Sequence, residues 1–154
     1  MLNLSPIYIL VRSFPESILL ALAAFIILDI KIDINKIIKL GMLLGIVVAA
    51  VRLLPISFGV HTIMFMFIYG FMIKKYFNKN IMYSIIVSCG VFIALAISEG
   101  IYLNIATKII GIDYNSLIQT NFEGAMKSLP SLLIFILIIV ISKKFMYIKS
   151  NQKG

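Results

Sequence analysis

Five residues in this chain have the chemistry to act where water is scarce: Arg12, Glu16, Arg52, Glu99 and the single histidine, His61. All lie inside or at the edge of long apolar blocks. An ionisable group in such a setting is expensive and needs a named partner. Arg52 with Glu99 is the first expected ion pair. Arg12 and Glu16 are spaced i,i+4, although Pro15 lies between them. Two cations and two anions then balance, and His61 is left as the group whose type responds to pH near neutrality. Together the five could line a polar pocket under the turn from Pro55 to Gly59. They could equally be two ion pairs that hold helices together, with Arg12 and Arg52 reaching towards headgroups. Met64, Phe65, Ile68 and Met72 beside His61 read as plain packing.

Other chemistry is missing. One His and one Cys rule out HExxH and any Cys/His zinc site, and the single Cys rules out an internal disulfide. No P-loop pattern occurs. Cys89 is 28 residues from His61 among Ser88, Gly90 and Val91, without an activating charge, which is the setting of an inert thiol. Glu16 and Glu99 both have nearer uses as arginine partners than as a catalytic carboxylate pair. The expectation is a non-enzymatic protein with no cofactor and no metal.

The apolar blocks must position these groups. The chain has 154 residues, 62% of them hydrophobic, and a mean hydropathy of +1.10. About 20 apolar residues cross a hydrocarbon core of roughly 30 Å. Five stretches qualify: Phe14 to Ile30, Lys36 to Leu54, Val60 to Phe77, Asn80 to Ile110 and Leu129 to Tyr147. They predict an all-α membrane bundle of five transmembrane helices, residues 1–154 forming a single membrane domain with no room for a soluble one. Pro6 to Arg12 reads as a short interfacial piece. Gly111 to Ser128 is the one long polar segment. Ile118, Phe122, Ala125 and Met126 recur in it at helical spacing, which predicts a short amphipathic helix on the outer surface. The first block has neither a basic flank nor a cleavage site, so it does not read as a removable signal.

Charge gives the orientation. The net charge is +8, but the lysines sit at the ends of apolar blocks, where topology rather than nucleic acid puts them. Lys31, Lys36, Lys39, Lys74, Lys75, Lys79, Lys143, Lys144, Lys149 and Lys153 fall on one side, against Arg12, Arg52, Lys108 and Lys127 on the other. That split places the N-terminus outside and the C-terminus in the cytoplasm. Tyr76, Tyr83 and Tyr147 then lie near the inner interface, and Tyr8, Tyr102 and Tyr114 near the outer. At 1.5 Å per residue, Arg52 and His61 each sit about 20 Å above the inner lysines, and Glu99 is also in the outer half. Gly41, Gly45 and Ala49 form a small-residue ladder, a face for another helix or a second copy of the chain. Arg52 shares that face. Ser88, Ala96 and Tyr102 share the half of their helix that carries Glu99.

The run Arg12-Ser13-Phe14-Pro15-Glu16, and then Arg52-Leu53-Leu54-Pro55-Ile56-Ser57-Phe58-Gly59-Val60-His61-Thr62, resembles a known arrangement. It is similar to the multi-pass membrane input region of sensor histidine kinases of Gram-positive bacteria, those with sporulation-phosphotransferase-like or GHKL-type catalytic portions. The similarity covers the first 80 residues or so, and the remainder in topology alone. It implies an input module that passes a signal to a cytoplasmic partner through the last helix. Ten residues follow Lys144, with no phosphoacceptor His, ATP-binding Asn or Gly-rich lid, so kinase activity is not implied. The expected function is a sensory or regulatory module that recognises a ligand or partner at its outer face. Its partners would be the bilayer and a membrane or cytoplasmic signalling protein, with no nucleic acid. The heavy use of Lys, Ile and Asn fits a bacterial cell membrane. A small substrate-binding subunit of an importer and a membrane assembly factor are the alternatives.

Overall fold

The helices begin and end where local chemistry dictates. In the computed structural model, which describes residues 9–52, 58–118 and 122–151, a π-helical turn, Ile9–Ser13, runs directly into α1, Phe14–Ile27. Pro15 stands in the first turn of α1, where a missing N–H is tolerated. It still removes a donor from the preceding turn, and the widened π turn is the local consequence. Asp29 ends the helix at φ 55°, and the Ile30 N–H returns to the Phe25 carbonyl at 3.0 Å. Asp33 then starts α2, Ile34–Arg52. Its carboxylate accepts from the Asn35 and Lys36 N–H groups at 3.1 and 3.3 Å.

Helix α3 is Phe58–Phe77 and α4 is Ile81–Lys108. Asn80 caps α4 by accepting from the Met82 N–H at 3.1 Å. Gly111, at φ +76°, ends it, with the Ile112 N–H bonded to the Ala106 carbonyl at 2.9 Å. A glycine is favoured there because the left-handed conformation closes the last turn. Two short helices follow, α5 (Tyr114–Ile118) and α6 (Phe122–Ser128), and then α7, Pro130–Asn151, with Pro130 in its first turn. No strand occurs among the described residues.

Helix α1 is the centre of the bundle. Ser17, Leu20, Ala21, Ala23, Ala24 and Phe25 are buried in it, and the small Ser17, Ala21, Ala23 and Ala24 let α2, α4 and α7 close on it from several sides. Its contact with α2 is closest. A Cβ on Gly41 would stand 2.7 Å from the Ile18 Cα, and one on Gly45 3.0 Å from the Phe14 ring. The small-residue ladder therefore seats α1 of the same chain, and is not left open for a second copy. Helix α3 packs along α4, and reaches α1 through the fully buried Tyr69, which donates to the Leu20 carbonyl at 2.5 Å, and through Phe77, edge-on to Phe25 at 4.9 Å.

The outside of the bundle is as apolar as its core. Ile38, Met42 and Ile46 on α2, Ile63, Phe67 and Phe71 on α3, Ile86, Ile93, Ile97 and Ile101 on α4, and Leu133, Leu137 and Ile141 on α7 are all exposed. Water does not tolerate stripes of this length, and lipid does. Three segments, Ile34–Val51, Ile81–Lys108 and Phe122–Phe145, are long and apolar enough to cross a membrane. Helix α1 is 14 residues long and is shielded by its neighbours. Helix α3 carries His61 near its start and Lys74 and Lys75 near its end.

Two expectations are corrected. The outer segment is two short helices instead of one. In the second, Gly124 and Ala125 turn inward while Phe122 and Met126 stay exposed, so its apolar side is split. Tyr102 is buried instead of lying in an interfacial belt, because its hydroxyl donates to the Lys127 carbonyl and ties α4 to α6. Tyr76, Tyr83 and Tyr114 are exposed. Tyr8 and the side chain of Tyr147 lie outside the described residues.

Candidate functional site

The π-helical turn aims Arg12 at α4. Its Nη2 lies 2.5 Å from Oε1 of Glu99, across 87 residues of sequence. Arg12 is 7% exposed, whereas the Glu99 side chain is 41% exposed, so the pair opens to one side through its acid. An N–H···O⁻ bond at this separation is short and charge-assisted. Around it the backbone of the turn is stabilised: the Ser17 hydroxyl donates to the Ser13 carbonyl at 2.7 Å. On α4 the Ser98 hydroxyl donates to the Leu95 carbonyl at 2.7 Å. Helix α6 lies over the π-helical turn and is held there by Tyr102.

The geometry adds a pair that the sequence did not single out. Glu99 takes Arg12, so Arg12 is not confined to an i,i+4 partnership with Glu16. The backbone of Arg52 ends α2, but its side chain lies outside the described residues, and the proposed Arg52–Glu99 bond with it. Glu16 is half-buried in the first turn of α1, where a carboxylate suits the helix dipole. Ala96, expected on the half of α4 that faces the bundle with Glu99, is exposed, while Ser88 and Tyr102 are buried on it.

His61 sits lower. The Ser88 hydroxyl donates to the Met66 carbonyl at 2.6 Å, which sets the register of α3 against α4. His61 is one and a half turns from Met66 and Glu99 about three turns from Ser88, so Glu99 lies about 9 Å farther towards the end of the bundle. The imidazole stacks on Phe65, centroids 6.4 Å apart, and its Nε2 is buried without a hydrogen-bond partner. Met64, Phe65 and Ile68 are half-buried around it, and Met72 packs on the main core. Cys89 meets the Met66 sulfur at 3.1 Å and not His61, consistent with an inert thiol. No grouping of three metal-ligating side chains occurs among the described residues.

Sequence reasoning missed two features. The first is a shallow open groove of about 270 Å³ next to Glu99, lined by Gly100, Leu103, Asn104, Thr107 and Tyr114. Asn104 and Thr107 each donate one hydrogen bond back to their own helix, to the carbonyls of Gly100 and Leu103 at 2.9 and 2.7 Å. The second is a clasp at the opposite end. Lys143 Nζ on α7 is 2.7 Å from Oδ1 of Asp29 at the end of α1, and holds the Asp29 carboxyl below its ordinary value by hydrogen bonding and by charge. Tyr76 of α3 reaches the Lys36 carbonyl of α2 at 3.5 Å at the same end. The lysine-rich turns therefore gather at one end of the bundle, and Arg12, Glu99 and the Glu123–Lys127 pair at the other. No protein-family model matches the chain, and comparisons with curated proteins and with solved structures find no match either.

Proposed function

We propose that the chain is a five-span protein of a bacterial cell membrane, with its N-terminus outside and its C-terminus in the cytoplasm, and that it acts as a non-enzymatic sensory or regulatory module. Recognition takes place at the outer end, around Arg12, Glu16 and Glu99, with Arg52 and His61 on the adjoining helices. The observation that carries this reading is the Arg12–Glu99 pair. It joins the π-helical turn that leads into α1, the central helix, to α4, and α1 and α4 both pack against α7. A change at the pair can thus be transmitted to α7 through the core residues Phe135 and Ile139.

Capture from native membranes tests it, with the Glu99→Gln variant run beside the original chain. Retention of a signalling protein by the original chain, and altered retention by the variant, supports the reading. Co-purification of an ATPase and its coupling subunit, with one small molecule per chain, overturns it in favour of an importer subunit.

A further inference from the structure

A recognition end still needs a chemical class of ligand, and Arg12 supplies one. A guanidinium presents five N–H donors in a rigid plane and no acceptor. Arg12 uses Nη2 on Glu99. Its other arm, Nη1, is buried and has no hydrogen-bond partner. The buried hydroxyls of the chain are treated differently. Ser17, Ser84, Ser88, Ser98 and Ser131 each donate to a carbonyl, of Ser13, Asn80, Met66, Leu95 and Ser128 respectively. Buried polar groups are nearly always satisfied, and a charged donor is the costliest to leave open. Among the described side chains only His61 Nε2 shares the condition.

Two features border this donor. The half-exposed Glu99 marks the open side of the site. Helix α6, which covers the π-helical turn, faces inward with Gly124 and Ala125, its smallest residues. Because Glu99 already neutralises the cation, the next partner is held by directed N–H bonds more than by net charge. That favours a planar or tetrahedral oxygen acceptor matched to the guanidinium fork.

We propose that Arg12 Nη1 binds an oxyanion, a phosphate or carboxylate group entering from the outer end, while Glu99 fixes the plane of the guanidinium. The inference rests on the outer-face reading above. The group can come from a lipid headgroup or from a soluble compound, and the two sources are separable.

The chain has two arginines, so a spectrum of ¹⁵N-arginine protein holds two Nε signals, and Arg52→Lys assigns them. The protein is kept in a maltoside detergent free of phosphate and carboxylate. It is titrated at fixed ionic strength with sodium phosphate, sodium acetate and short-chain phosphatidylglycerol. A saturable shift of the Arg12 signal is expected. A response to phosphate or acetate identifies a soluble ligand, and a response to the lipid alone identifies the headgroup. Arg12→Lys keeps the charge but loses the fork and the reporter signal, so its binding is read by isothermal titration calorimetry beside the original chain, where it should be about tenfold weaker. No saturable shift with any of the three, or undiminished binding by folded Arg12→Lys, overturns the proposal and assigns the open donor to water. A saturable Arg12 shift together with importer subunits in the native capture keeps the anion site and removes the sensing role.

Discussion

At the scale of single residues, the Arg12–Glu99 pair is asymmetric, and its substitutions should be as well. Removing the acid leaves a cation that is 7% exposed with neither arm matched. Removing the base leaves an acid that is 41% exposed and can be hydrated. Glu99→Gln should therefore destabilise the protein by about 2–4 kcal/mol, and Arg12→Gln by about half as much. Thermal unfolding in detergent measures both. The double variant should lose less than the sum of the two, since one interaction is counted twice. Full additivity would mean that the two side chains do not interact. The equivalent cycle between Arg52 and Glu99 tests the pairing first expected from the sequence.

At the scale of elements, glycine positions separate close contact from open space. A Cβ at Gly41 meets the backbone of Ile18 at 2.7 Å, and a helix backbone cannot yield without moving α1 from α2. Gly41→Ala should cost about 1–3 kcal/mol. Nothing lies within 4 Å of a Cβ at Gly90, so Gly90→Ala should gain about 0.5–1 kcal/mol from helix propensity alone. Equal effects at the two positions would refute the α1–α2 seam. The clasp between α1 and α7 has its own signature. Lys143, by its hydrogen bond and its charge, holds the Asp29 pKa below the ordinary value of 3.8. The group's contribution is thus present above pH 3.8 and is lost as pH falls through the lower, folded value. Asp29 is exposed, so the contribution is small and screened by salt. Amide exchange at the C-terminal half of α7 should be faster in Lys143→Gln at neutral pH, and the difference should vanish once Asp29 is protonated.

At the scale of the whole molecule, opposite ends carry different charged groups, the Asp29–Lys143 clasp at one and the Arg12–Glu99 pair at the other. Cys89 is the single cysteine, so a Cys89→Ser background allows site-directed labelling in intact cells. Lys79→Cys should react with impermeant maleimide only after permeabilisation. Asp113→Cys, 5 residues beyond the end of the 28-residue α4, should react from outside. Labelling of both from one side would mean that α4 does not cross the bilayer, and would remove the five-span reading.

The sequence by itself determined the all-helical class and the position of the five long helices to within a few residues. Those follow from runs of apolar side chains about 20 residues long, a signal that needs no tertiary contact. It also pointed to Gly41 and Gly45 as close-contact positions, because a missing side chain is visible without coordinates. What it left open was which helix fills the ladder, that Arg12 reaches Glu99 and how α6 folds over the π-helical turn. Only the tertiary structure decided that α1 fills the ladder and that Arg12 meets Glu99. The pairing depends on a π turn before Pro15 that rotates Arg12 towards a helix 87 residues away, and a helical periodicity of 3.6 residues does not register such a rotation.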